Sequence, residues 1–141
     1  MKSNLEYAID LLKGGGYTLV LKSDIELITS NEKGISPLIR LIESGRSLES
    51  FSCADKIVGK AAALLYAKLN VKELYAEVLS KAAQPVLNKH NISYSFGTLT
   101  ASIINRKGDG ICPMEQTVAE INDCDKAYSA LKNKLSVLKN S

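Results

Sequence analysis

With 141 residues, 45% of them hydrophobic and 23% charged, the chain is long enough to bury a core without disulfide or metal staples and too short for two full domains. Eighteen Lys and Arg against fifteen Asp and Glu leave a net charge of +3, partly in a tail where Lys126, Lys132, Lys134 and Lys139 follow the last acid, Asp125. So mild an excess does not demand nucleic acid. The apolar run Ala61 to Ala67 is far shorter than a membrane span, and acids in MKSNLEYAID stand where a signal peptide would be apolar. The expectation is one cytoplasmic domain over residues 1–141, with no membrane partner.

Cys53, Cys112 and Cys124 form no C-x-x-C pair, and His90 is the single histidine. These counts argue against a disulfide framework, a zinc ribbon, an H-E-x-x-H protease and a 2-His-1-carboxylate iron site. Reduced thiols, no metal and no cofactor are expected.

Along the chain, Ser3 and Glu6 make a capping box for a helix through Leu5, Ala8, Ile9 and Leu12 that stops at Gly14-Gly15-Gly16. Tyr17 to Leu21 and Ile25 to Thr29 read as a hairpin with Lys22-Ser23-Asp24 as its loop. Ser36 as N-cap and Pro37 as the first helical residue open a second helix with Leu38, Leu41 and Ile42 on its apolar side. Asp55 to Leu69, alanine-rich and nearly all apolar after Lys60, predicts a buried central helix. Val71 to Leu79 reads as a core strand. Ser80 then caps a helix to about His90, with Pro85 predicting a kink or an early start, and Ile92 to Phe96 is the next strand. That succession is a βαβ crossover and implies parallel strands. Gly97 to Asn105 fits a strand or a helical turn, 106–110 is a polar loop, Cys112-Pro113 opens a short helix to about Ile121, and Asp123 or Asp125 starts the last one. The fold class expected is α/β: a single three-layer α/β/α sandwich with a mixed sheet.

The strings ADKIVGKAAALL, LYAEVLS and NRKGDGICPMEQTV, with this order of elements, resemble an uncharacterised bacterial family, a domain of unknown function grouped with the cytidine deaminase-like superfamily. The resemblance runs from about Leu19 to about Ile121 and implies a deaminase-like sandwich. It does not by itself imply deamination. Zinc deaminases place H-x-E or C-x-E at the start of the central helix and P-C-x-x-C at the start of the next. In this sequence Lys60 and Ala62 take the first pair of places, and Ser80 and Ala83 those of the two cysteines. Every metal ligand and the general acid/base are replaced.

Several positions are candidates for chemistry. Lys56 and Lys60, four apart on the expected helix with Gly59 between them, would seat a small anionic ligand at a helix N-terminus, with Asp55 beside them and helix starts at Ser36 and Ser80 converging nearby. The plainer reading is two solvated lysines and a packing glycine. Cys112 at an N-cap, near Arg106 and Lys107, is a candidate nucleophile, although Glu115 at the capping-box position opposes a thiolate; structural capping is the plainer role. Asn105, Arg106 and the loop to Gly110 are a further candidate for wrapping a phosphate but lack P-loop spacing; a solvated loop is the plainer reading.

Three functions fit these residues. The first is a small-ligand-binding protein without the zinc site, for a nucleotide or other phosphorylated metabolite. The second is a metal-independent enzyme using Cys112 or Lys60, with Glu115 as a further catalytic candidate. The third is a protein or nucleic-acid interaction module built on the basic last helix, disfavoured for single strands by the absence of Trp and the presence of only two Phe.

Overall fold

The computed structural model describes residues 2–105 and 107–139. Its elements are α1 (Asn4–Gly14), β1 (Leu19–Lys22), β2 (Leu27–Ser30), α2 (Ser36–Glu43), β3 (Ser52–Val58), α3 (Lys60–Leu69), β4 (Glu73–Ser80), α4 (Ala83–Lys89), β5 (Ser93–Thr100), α5 (Pro113–Val118) and α6 (Cys124–Lys139). They form a mixed five-stranded sheet in the order β2-β1-β3-β4-β5. β1 is antiparallel to β2 and to β3, whereas β3, β4 and β5 run parallel through crossover helices α3 and α4. The strand, helix, strand unit expected from Val71 onward is therefore present.

Along β1 the side chains alternate between two cores, as a strand's pleat requires. Val20 joins Ala54, Tyr75 and the α1 residues Ala8 and Leu12. Leu19 and Leu21 instead join a larger core to which α2, α3, α4, α5 and α6 all contribute. At the centre of that core lies α3, in which Ala61 to Ala67 and Leu69 are buried. Its alanines let neighbouring helices approach closely, and Asn70, left-handed at φ 58°, ends it by turning the chain into β4. No helix among the described residues is long and apolar enough to cross a membrane.

The largest correction concerns 55–58. These residues are not the first turn of the central helix; they complete β3, a strand paired on both sides, and α3 begins at Lys60 with Gly59 as N-cap. Asp55 and Lys56 disguise an interior strand that sheet pairing nevertheless fixes, since propensity yields to tertiary context. The capping box of α1 is present as expected. In the hairpin the turn spans 23–26, because the Ser23 hydroxyl accepts hydrogen bonds from the N–H groups of Ile25 and Glu26 at 3.3 and 3.0 Å. Ile35 is the N-cap of α2, so Ser36 is its first helical residue rather than its cap. Ser80 ends β4 rather than capping α4, whose N-cap is Ala82. Pro85 lies in the first turn of α4, where a missing N–H leaves no bond unmade, and β5 extends to Thr100. Asp123 caps α6 through a 2.9 Å bond from the Lys126 N–H.

Candidate functional site

A cleft of about 480 Å3 opens at the carboxyl ends of β4 and β5. Lys60 at the start of α3, Ser80 at the end of β4, Val86 of α4, Ile103 beyond β5, and Glu115 and Gln116 of α5 all line it. The outer wall is held by an antiparallel bridge between Ile104 and Ile111 and by the Cys112 N–H, which donates to the Ile103 carbonyl at 2.9 Å. Parallel sheets bind ligands at this edge because the helix N-termini face it.

The N-terminus of α3 is already satisfied. Glu115 reaches across from α5, and its two carboxylate oxygens accept the N–H groups of Lys60 and Ala61 at 2.8 Å each. The side chain expected to close a capping box on α5 thus caps another helix, 55 residues earlier in sequence. Gly59 makes this possible, for a β-carbon there would lie 2.4 Å from Glu115 Oε1. Lys60 Nζ donates to the Ala119 carbonyl, just past α5, at 3.1 Å. An ammonium has three donors, so two remain for a ligand.

Ser80 differs from its neighbours. Its side chain is 1% exposed, and among the described residues its Oγ has no hydrogen-bond partner. Buried hydroxyls are almost always paired, so the Ser80 hydroxyl is the polar group beside the cleft that still needs a hydrogen-bond partner.

Of the candidates read from sequence, Lys60, Ser80 and Glu115 come together here. The other described candidates do not line the cleft. Lys56 is an exposed strand residue, not a helical neighbour of Lys60. Asn105 is engaged within its own loop, its Oδ1 accepting from the N–H groups of Gly108 and Asp109 and its Nδ2 donating to Asp109. Arg106 lies outside the described residues. Cys112 is the N-cap of α5, but its side chain makes no capping bond. Gln116, Ser102 and Asn122 join the cleft without any sequence signal.

Asp55, half-buried, ends a separate chain of polar groups that runs into the core through the buried Cys53 and Tyr66. The Cys53 thiol donates to the Tyr66 hydroxyl at 3.1 Å, and that hydroxyl donates to Asp55 Oδ2 at 2.6 Å. Burial pushes the Asp55 carboxyl up to about 7, against the pull of the Tyr66 hydroxyl and of backbone N–H groups. It raises the Cys53 thiol and the Tyr66 phenol as well, with the Asp55 charge adding to both.

Two comparisons place the chain among known proteins. The family model described as TM1506, a domain of unknown function (DUF1893), matches residues 7–135. The crystal structure of a DUF1893 family protein (TM1506) from Thermotoga maritima superposes with a TM-score of 0.86 at 27% identity, covering 95% of this chain and 92% of that one. No curated protein matches the chain.

Proposed function

The chain belongs to the DUF1893 family, a domain of unknown function, and from that premise we propose that it binds a small polar molecule in the cleft at the carboxyl ends of β4 and β5. The unpartnered Ser80 hydroxyl carries this reading. Leaving such a group buried without a bond costs about 1–3 kcal/mol, which a ligand atom pairing with it recovers. The free donors of Lys60 suit an anionic group at the cleft mouth, so a nucleotide or other phosphorylated metabolite fits, with its phosphate toward Lys60 Nζ. Glu115 fills the α3 N-terminus, so the phosphate has no place there.

A deaminase-like three-layer ancestry is part of the same proposal. The parallel trio β3, β4 and β5, with helices on both faces of the sheet and a cleft at the starts of α3 and α4, supports it. The zinc ion that such ancestry implies does not fit the cleft, because Lys60, Ala62, Ser80 and Ala83 offer no imidazole, thiolate or carboxylate, and Glu115 is engaged by two N–H groups. The binding reading is preferred to a metal-independent enzyme because the Cys112 thiol lies outside the cleft lining and Lys60 is anchored to Ala119.

A thermal-shift panel of nucleotides, phosphorylated metabolites and their neutral counterparts tests the proposal. A ligand at 100 times its dissociation constant adds about 2.7 kcal/mol of stability. Stabilisation of the wild type that Ser80→Ala and Lys60→Ala both diminish is the expected result. Hits that stabilise all three proteins equally would overturn it.

A further inference from the structure

β5 forms one edge of the sheet and β2 the other. Proteins protect an edge by keeping it short, charging it, or breaking it with proline or a bulge, because its unpaired backbone groups are a template for another strand. β2 is protected: it has four residues, with Glu26 before it and Glu32 soon after. β5 is not. Its eight residues, SYSFGTLT, include no charge and no proline, and it keeps one register with β4 from Ser93 to Thr100, so no bulge interrupts it. Phe96, near its middle, is 40% exposed.

The Lys81 N–H donates to the Thr100 carbonyl at 2.9 Å, so Thr100 turns its backbone groups inward to β4. Alternation along the strand then turns those of Ser93, Ser95, Gly97 and Leu99 outward, where no strand among the described residues pairs with them.

We propose that this edge pairs with the β5 of a second copy of the chain, antiparallel across a two-fold axis at Phe96, joining the two five-stranded sheets into one. Such an axis sets Phe96 opposite its own copy. Ser95 then faces Gly97 of the other copy, Ser93 faces Leu99, and every outward N–H and C=O of these residues gains a partner. Phe96 and its copy form a non-hydrogen-bonded pair, the kind in which side chains stand closest, with Tyr94 opposite Thr98 on either side of it. Aromatic–aromatic and aromatic–β-branched pairs are among the cross-strand contacts that stabilise an antiparallel ladder. With no charge in the strand, a second copy brings no like charges face to face. The strand itself thus supplies the row of residues that its pairing needs, which selects a second copy over a foreign strand.

Sedimentation equilibrium of the full chain, with a charge exchange at the axis, tests the proposal. The wild type is expected to approach twice the monomer mass as its concentration rises. Phe96→Lys and Phe96→Glu each set like charges on the axis and should weaken association by about tenfold or more, and an equimolar mixture of the two should dimerise again. Phe96 is exposed, so both variants are expected to fold, which circular dichroism checks. Ser95→Pro, which removes an outward N–H at an exposed edge position and leaves the pairing with β4 in place, is expected to be monomeric whether or not the Phe96 variants fold. Ile25→Lys, on the hairpin turn at 96% exposure, should leave association unchanged. A wild type that stays monomeric at every concentration or grows beyond a dimer, a dimer that Ser95→Pro leaves intact or Ile25→Lys abolishes, or folded Phe96 variants that fail to dimerise when mixed would each overturn the assignment.

Discussion

The carboxylate of Glu115 occupies the space that a β-carbon on Gly59 would need, 2.4 Å from Oε1, and from there it caps the helix that Gly59 begins. The backbone of Gly59 is extended, at φ −103°, so any residue could adopt it; the glycine is required by the neighbour and not by the backbone. Gly59→Ala is expected to displace Glu115 and destabilise the fold by about 1–3 kcal/mol, and Glu115→Ala to cost about 1–2 kcal/mol through the lost cap. The two share one cause, so Gly59→Ala in a Glu115→Ala background should cost far less than alone. Urea unfolding of the four proteins measures this, and simple additivity would show that Glu115 does not hold the start of α3.

Asp55 makes stability depend on pH. Its carboxyl titrates near 3.8 when unconstrained and about 7 when folded. The folded state therefore binds this proton more tightly, and the group's contribution is complete below its unfolded value and is lost as pH rises through 7. Between pH 5 and pH 8 the wild type should lose about 2 kcal/mol relative to Asp55→Asn. Tyr66→Phe removes the hydroxyl that pulls the carboxyl down, and should move the transition to higher pH. Parallel pH profiles of wild type and Asp55→Asn would contradict a protonated Asp55.

Local signals and packed neighbours divide what the sequence makes legible. The Ser3 and Glu6 box, the alanine-rich buried helix and the strand–helix–strand succession from Val71 to Phe96 follow from spacing alone, whereas the extension of β5 from Gly97 to Thr100 does not. β3 did not, because Asp55 and Lys56 interrupt its apolar pattern and only pairing with β1 and β4, together with the Tyr66 hydroxyl, accommodates them. The site was half legible. Lys60, Ser80 and Glu115 were candidates, yet the anion seat drawn between Lys56 and Lys60 is absent, and the bond from Glu115 to α3 joins residues too far apart for any local rule to find.

Ser80→Ala separates binding from folding. Among the described residues the hydroxyl has no hydrogen-bond partner, so deleting it should leave the stability of the free protein unchanged or raise it by up to about 1 kcal/mol. Ligand-induced stabilisation should fall in the same variant. Thermal unfolding with and without a panel hit reads both, and a large loss of stability in the free protein would show that Ser80 has a structural partner instead.

Amide chemical-shift mapping of a panel hit on the labelled protein tests the central claim most directly. The account predicts perturbations concentrated on Lys60, Ser80, Ile103 and Gln116, which Ala82→Phe, a bulky substitution at an exposed position of the cleft wall, should suppress. Perturbations confined to α1, β2 or the far end of α6, and insensitive to Ala82→Phe, would contradict it.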